Sequence, residues 1–270
     1  SEYFQLIVDF QSEHGWWTEH SGPVVLYNRV YLEALALYYH YSNDESVFDA
    51  LKKGNLFHLN YTYPNGAAIE TVDERNVYYP VKISKKTGEG GEKLYLPKHA
   101  TVHPGLYFTD EGRSLLDHQL RILTNLRSDE LEAEFAEYMY LCLPENEDAL
   151  NYTSTMSPRF KMGNDSLIVR ESPWIVSLSG YSCERTGNRF IQDRQNLVSL
   201  YHEKSGLILG GGNTKLQPLW STMTVGDVNL LSPIGAPHKV NIGTNEDTGL
   251  APEVDLGYVP EEIEILEVGE

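Results

Sequence analysis

The residues best suited to chemistry lie in one short segment, "HGWWTEHSGPVVLYNRV", at positions 14–30. It holds two indole rings, a carboxylate, two imidazoles and a phenol–amide–guanidinium trio: Trp16, Trp17, Glu19, His14, His20, Tyr27, Asn28 and Arg29. A loop that only joins two helices needs none of these groups. Amphipathic aromatic rings suit surfaces that stack on sugars and form hydrogen bonds at their edges. The segment therefore predicts a sugar-binding cleft with an acid/base group at its floor.

The trio of Tyr27, Asn28 and Arg29 offers a phenol, an amide donor and a cation. A tyrosine transfers protons as base, acid or both when a nearby cation lowers its pKa from about 10. Successive helical residues point in different directions, so at most two of the three can face one cleft. The alternative interpretation makes Tyr27 a core aromatic on the helix stripe. Glu19 and His20 would orient the sugar or assist proton transfer, although a loop glutamate is also commonly solvated.

A second group of candidates follows in "ETVDERN", with Glu70, Asp73, Arg75 and Asn76. In an extended segment, alternation would place Glu70 on the opposite face from Asp73 and Arg75. Either Asp73 and Arg75 form a structural clamp, or Arg75 binds a substrate carboxylate with Asn76 nearby. His202 lies on a predicted strand beside a glycine-rich return. It would reach the helical cleft across the domain interface or serve as a satisfied structural histidine.

The elements that position the first segment are helical. Apolar residues recur at three-and-four spacing from Val24 to Tyr41, which predicts a buried helix. Ser42, Asn43 and Asp44 suit the cap of a second helix, and Gly54 is a suitable C-terminal stop for it.

The next stretch breaks the helical period, with a turn at residues 64–66. "SKKTGEGGEK", at 84–93, is expected to be a flexible, solvated loop. Helical patterning resumes at Asp110, and Ser128 is expected to cap another helix that Pro144 stops.

Beyond about Asn151 the pattern changes to short β-type runs punctuated by Gly, Asn and Pro. "YHEKSGLIL", at 201–209, predicts strand, turn and strand. Because helices precede strands along the chain, the expected fold class is α+β and multidomain. The expected domains are a helical-hairpin domain over 1–150 and an antiparallel β-sandwich over 151–270.

Composition narrows the classes of partner. The formal net charge of −18 and the pI of about 4.8 argue against nucleic-acid or anionic-membrane binding, which needs a basic face. No apolar run approaches the roughly 18 residues of a membrane span, so no membrane insertion is expected. Cys142 and Cys183 are too few and too far apart for a metal site or disulfide framework. No metal or other cofactor is predicted, and an all-oxygen Ca²⁺ site stays open.

Three segments resemble the heparinase II/III-like polysaccharide lyases: "GWWTEHSGPVVLYNRVYLEAL", "YPNGAAIETVDERNVYY" and "NLVSLYHEKSGLILGGGNTK". The resemblance implies a partial α/α toroid followed by a β-sandwich, and a secreted or periplasmic location. The family pattern has Tyr-His where this chain has Tyr27-Asn28. A toroid also needs more helices than the four or five visible here, so we expect a fragment that lacks N-terminal helices.

The resemblance further implies β-elimination on a uronic-acid-containing polysaccharide. Tyr27 would transfer the proton, with Asn28 and His202 as its catalytic partners. Substrate-binding residues would be Trp16, Trp17, Glu19, His20, Arg29, Glu70, Asp73, Arg75 and Asn76. Two alternatives stay open. One is a glycoside hydrolase that pairs Glu19 with Glu70 or Asp73, and the other is a non-catalytic carbohydrate-binding relative.

Overall fold

The computed structural model describes residues 2–19, 22–23, 25–73, 78, 84–88, 91–95, 104–125, 156–180, 198–210, 224–225 and 228–229. The chain divides into two compact units. Unit 1 comprises Ser1–Thr18, Val25–Ala68 and Tyr79–Ser157, and unit 2 comprises Glu19–Val24, Ile69–Tyr78 and Pro158–Glu270. The predicted domain boundary at 150/151 lies outside the described residues and stays a prediction.

The helices of the described chain are α1 (Glu2–Asp9), α2 (Val25–Ser42), α3 (Phe48–Asn60) and α4 (Asp110–Asn125). Two 3₁₀ turns, Glu45–Val47 and Pro104–Leu106, precede α3 and α4. The expected helices beginning near Val24 and at Asp110 are thus confirmed. No helix among the described residues combines the length and apolarity needed to cross a membrane. The helix predicted after Ser128 lies outside the described residues.

Helix α2 packs on α3 through the apolar stripe that its periodicity predicts. Leu32, Leu35 and Ala36 of α2 join Ala50 and Leu51 in one fully buried cluster. Asp44 caps the 3₁₀ turn between the helices, because its side chain accepts a hydrogen bond from the amide of Ser46. A second cluster joins the end of α3 to α4 through Leu59, Leu106, Tyr107, Leu115 and Leu116.

Gly54 does not end the second helix, so that prediction was wrong. Helix α3 continues for another turn and a half to Asn60, and Gly54 is buried inside it. A Cβ at this position would lie 2.6 Å from Leu32 Cδ2 and 3.3 Å from the carbonyl oxygen of Gly15. The glycine therefore allows α2 and the 11–17 loop to approach α3 closely.

The segment after α3 contains the predicted turn, in which the amide of Gly66 donates to the carbonyl of Tyr63 over 2.8 Å. Residues 70–73 are not extended. They form a turn in which the amide of Asp73 donates to the carbonyl of Glu70 over 3.0 Å. Alternation does not apply to a turn, and both Glu70 and Asp73 are buried.

The expected flexible loop at 84–93 was also wrong. Strands β3 (Ser84–Gly88) and β4 (Gly91–Tyr95) pair antiparallel, with Gly88 opposite Gly91. Two residues, Glu89 and Gly90, separate the strands in the sequence. A glycine-containing connection of two residues is characteristic of a tight hairpin, and the abundance of glycine concealed that signal.

Unit 2 is built on a five-stranded antiparallel sheet in the order β5-β6-β7-β8-β9. Its strands are β5 (Arg159–Met162), β6 (Ser166–Glu171), β7 (Trp174–Ser179), β8 (Val198–His202) and β9 (Gly206–Leu209). Short connections at 163–165, 172–173 and 203–205 join neighbouring strands, and "YHEKSGLIL" forms strand, turn and strand. Short two-stranded pairs are β1 (Thr18–Glu19) with β2 (Gly22–Pro23), and β10 (Thr224–Val225) with β11 (Val228–Asn229). The mixed α+β class is therefore confirmed.

Replacing Gly54 by Ala tests the close approach at α3. We expect Gly54→Ala to lower the free energy of unfolding by about 1–3 kcal/mol, because the added methyl overpacks a filled interface. Urea denaturation of the full chain measures the change, with the exposed neighbour Lys53→Ala as control. A more stable Gly54→Ala, as at a solvent-exposed helical glycine, would contradict the packing described here.

Candidate functional site

The loop that carries the tryptophans is fixed to both α2 and α3. Gln11 Nε2 donates to the carbonyl of Gly15 over 3.2 Å and to that of Ala50 over 2.9 Å. The amide of Trp17 donates to Asn28 Oδ1 over 3.0 Å. These bonds place the loop directly against the first turns of α2.

Trp17 belongs to the core of unit 1. Only 3% of its surface is exposed, its ring stacks on Tyr31 at 5.1 Å, and its Nε1 donates to the carbonyl of Ile7 over 2.7 Å. Both the ring and its donor are thus engaged inside the protein. Trp16 lies on the neighbouring position and is only partly buried.

Tyr27, Asn28 and Arg29 point in different directions, as helical geometry requires. Tyr27 is 38% exposed, Asn28 is buried at 1%, and Arg29 is half-buried. Arg29 Nε lies 3.9 Å from Glu33 Oε1, one turn along α2. Burial raises the pKa of Glu33, and the opposite charge of Arg29 acts against that rise.

His58, on the last turn of α3, adds an imidazole to this region. His58 as a whole is half-buried, but its Nε2 atom is inaccessible to solvent. Desolvation, reinforced by the positive charge of Arg29, lowers the pKa of His58 to about 3. At neutral pH the ring is therefore uncharged.

Among the buried nitrogens that have no hydrogen-bond partner in the part of the chain that the structure describes are Trp16 Nε1, Asn28 Nδ2 and His58 Nε2. The first two are donors, and the neutral imidazole can donate from Nε2 in one tautomer. A buried donor without a partner costs about 1–3 kcal/mol. Each of these nitrogens is suited to bind an acceptor such as a carboxylate oxygen.

Glu70 and Asp73 lie in unit 2. The hydroxyl of Ser199 donates to Glu70 Oε1, and the hydroxyls of Thr71 and Ser177 lie 2.7 Å apart. Both contacts join the 70–73 turn to strands β7 and β8. The carboxylate of Glu70 therefore takes part in holding this turn on the sheet.

His202 ends β8, also in unit 2. Its Nδ1 accepts hydrogen bonds from the amides of Lys204 and Ser205 over 3.2 and 3.3 Å. This network assigns the proton to Nε2. The ring packs edge-to-face on Trp174 with 4.6 Å between centroids.

Several predicted positions cannot be placed. His20, Arg75 and Asn76 lie outside the described residues, as does the side chain of Glu19, whose backbone belongs to β1. Within the described ranges, no group of three or more His, Cys, Asp or Glu is arranged to hold a metal ion.

The predicted residues thus divide between the units. Trp16, Trp17, Tyr27, Asn28 and Arg29 belong to unit 1, whereas Glu70, Asp73 and His202 belong to unit 2.

Sequence reasoning missed His58 because it ended the second helix at Gly54. The apolar spacing of Val47, Ala50, Leu51 and Phe57 was the signal that the helix continues, with Gly54 on its buried stripe.

His58 should make stability depend on pH. Its folded pKa is about 3 and its unfolded pKa about 6.5, so the unfolded chain binds the proton first as pH falls. Stability is then fully present above about pH 6.5 and is lost as pH falls toward 3.

His58→Gln removes this titration. We expect the variant to lose less stability than the parent over that window, by up to about 1.4 kcal/mol per pH unit. Urea denaturation at several pH values measures the difference, with exposed His40→Gln as control. Identical pH profiles for the parent and His58→Gln would contradict a buried, neutral His58.

Comparison of the chain with protein-family models, with curated proteins and with solved structures finds no match. The family resemblance therefore stays a prediction, and the chemistry of the described side chains is the basis for a functional proposal.

Proposed function

We propose that this protein is a polysaccharide lyase that cleaves a uronic-acid-containing polysaccharide by β-elimination. The observation that supports the proposal is the set of unpartnered nitrogens on Trp16, Asn28 and His58 within the described chain, together with the positive charge of Arg29, which acts on His58. Tyr27 emerges into solvent on the same first turns of α2. A carboxylate-binding group next to a proton-transfer group is what this reaction requires.

β-Elimination needs three contributions from the protein. A base removes the proton at C5 of the uronic acid, an acid protonates the departing C4 oxygen, and donors neutralise the carboxylate so that the C5 proton becomes acidic. The electron pair of the C5–H bond forms the C4=C5 double bond as the C4–O bond breaks. One tyrosine can serve both proton steps, accepting the C5 proton as phenolate and passing it to the leaving oxygen.

In this proposal Tyr27 transfers the proton, while Asn28 Nδ2 and the nitrogens of His58 and Trp16 receive the substrate carboxylate after the atoms that bury these nitrogens move aside. Asn28 is well placed for such a role because its Oδ1 is already occupied by the amide of Trp17. That bond fixes the amide group and leaves its Nδ2 as the donor. Arg29 supplies the positive charge that favours the bound carboxylate.

The uncharged state of His58 fits this role. A neutral imidazole donates one hydrogen bond from a defined nitrogen, and it adds no second positive charge beside Arg29. His58 would therefore orient the carboxylate, while Arg29 would carry most of the electrostatic stabilisation.

The roles predicted from the sequence for Glu19, His20, Arg75, Asn76 and His202 stay predictions. We propose that the helices belong to a partial α/α toroid and that the five-stranded sheet belongs to a β-sandwich. The engagement of Glu70 with Ser199 disfavours the alternative of a hydrolase whose carboxylate pair includes Glu70.

The test is the ultraviolet absorbance of the unsaturated uronyl end, which a lyase produces and a hydrolase does not. We expect the full chain to generate this absorbance on at least one member of a panel of uronic-acid polymers. Tyr27→Phe should reduce the rate by about 10²–10⁴-fold, as for loss of an acid/base group. Tyr41→Phe, which removes the hydroxyl of another exposed tyrosine on α2, is the matched control.

Two outcomes would count against the proposal at different levels. If no polymer in the panel yielded the absorbance, the lyase assignment would fail. If the parent and Tyr27→Phe were equally active, the assignment of Tyr27 alone would fail.

A further inference from the structure

Trp174 is the most exposed tryptophan in the described chain, with 44% of its surface open. It lies in a row of residues that crosses four adjacent strands of the unit 2 sheet: Glu171, Trp174, His202 and Gly206. Directly paired residues of an antiparallel sheet present their side chains on the same face. The indole is therefore flanked by a carboxylate on one side and by an imidazole on the other.

The surroundings of the indole hold it in one position. The imidazole of His202 packs on it at 4.6 Å with an interplanar angle of 71°, and that imidazole is itself fixed by the amides of Lys204 and Ser205. Across the same end of the sheet, the amide of Glu203 donates to the carbonyl of Pro173 over 2.9 Å. Ser172 Oγ donates to Glu203 Oε2 over 3.2 Å. An exposed ring ordered in this way loses little conformational entropy on binding a ligand.

The row ends at Gly206, which has no side chain to project from the sheet. Its φ of +78° disfavours other residues at this position. A Cβ at Gly206 would meet only the hydroxyl of Tyr78 at 3.9 Å. The surface next to His202 is thus open and ends in a polar group.

The charges around the indole restrict what it can bind. Exposed carboxylates of Glu171 and Glu203 lie on the two hairpin ends beside it. Carboxylates accept hydrogen bonds and donate none, so they favour a ligand that carries hydroxyl donors. They disfavour an anionic membrane surface by repulsion and a purely apolar protein surface by the cost of desolvation.

We propose that Trp174 is a binding site for a neutral hexose unit of a polysaccharide. The C–H face of the sugar stacks on the indole, and its hydroxyls donate to Glu171. The site uses only unit 2 residues and does not depend on β-elimination by the chain. It would be a second polysaccharide-binding site, separate from the unit 1 nitrogens that we propose bind a carboxylate.

Native gels containing one soluble neutral polysaccharide each test the proposal with the full chain. Suitable polymers are hydroxyethylcellulose, xyloglucan, galactomannan and mixed-linkage β-glucan. We expect at least one gel to retard the parent protein. Trp174→Ala should weaken that binding at least tenfold, and Trp174→Phe should retain part of it because a flat ring remains. The exposed-aromatic control Tyr41→Ala, on α2, should migrate like the parent.

Glu171→Ala keeps the indole and removes the proposed acceptor, so it tests the site even if Trp174→Ala fails to fold. It should weaken retardation in the same gel. The proposal is overturned if no gel retards the parent, or if Trp174→Ala and Glu171→Ala both bind as tightly as the parent. Because retardation on neutral polymers and formation of unsaturated uronyl ends are separate readouts, failure of one proposal is distinguishable from failure of the other.

Discussion

The close approach of Gly15 to Gly54 is the constraint on which the candidate site depends. Gly15 has a φ of +93°, and its carbonyl oxygen would lie 3.3 Å from a Cβ on Gly54. A side chain at either position would push the loop away from α3. With the loop seated, Trp17 fills the core and its amide reaches Asn28. Backbone proximity in the loop therefore determines which atom of Asn28 is engaged and which one is available to a ligand.

The charges of the groups near Arg29 determine what kind of ligand this region can bind. Burial keeps His58 neutral and raises the pKa of Glu33, and the positive charge of Arg29 acts on both groups. The result is a region with one fixed positive charge and several buried donors in a strongly acidic protein of net charge −18. A local cation in such a chain is suited to an anionic group of a substrate that the rest of the surface repels. The proposed lyase chemistry rests on that contrast.

The sequence predicts the elements better than their ends and contacts. Periodicity located α2 and α4, and the β runs of unit 2, because a half-buried helix or strand must repeat its apolar positions. The predicted end of α3 at Gly54 was wrong because a glycine can either end a helix or allow another element to approach it closely. Only the elements packed against Gly54 in the structure distinguish the two cases. The error removed His58 from consideration, since its burial depends on the last turn of α3. The turn at Glu70 and Asp73 was equally hidden, because the side-chain hydrogen bonds that hold it on the sheet join residues more than a hundred positions apart.

The central claim is that a uronic-acid carboxylate binds to the unpartnered nitrogens of Trp16, Asn28 and His58. The most direct measurement is the indole N–H signal of Trp16 in a ¹H–¹⁵N spectrum, assigned with Trp16→Phe and followed as a uronic-acid oligosaccharide is added. The account predicts a saturable downfield shift of the Trp16 signal, because its Nε1 gains an acceptor. The Trp17 signal, already bonded to the carbonyl of Ile7, should move little. A Trp16 signal that stays unchanged while the oligosaccharide binds or is cleaved would contradict the account.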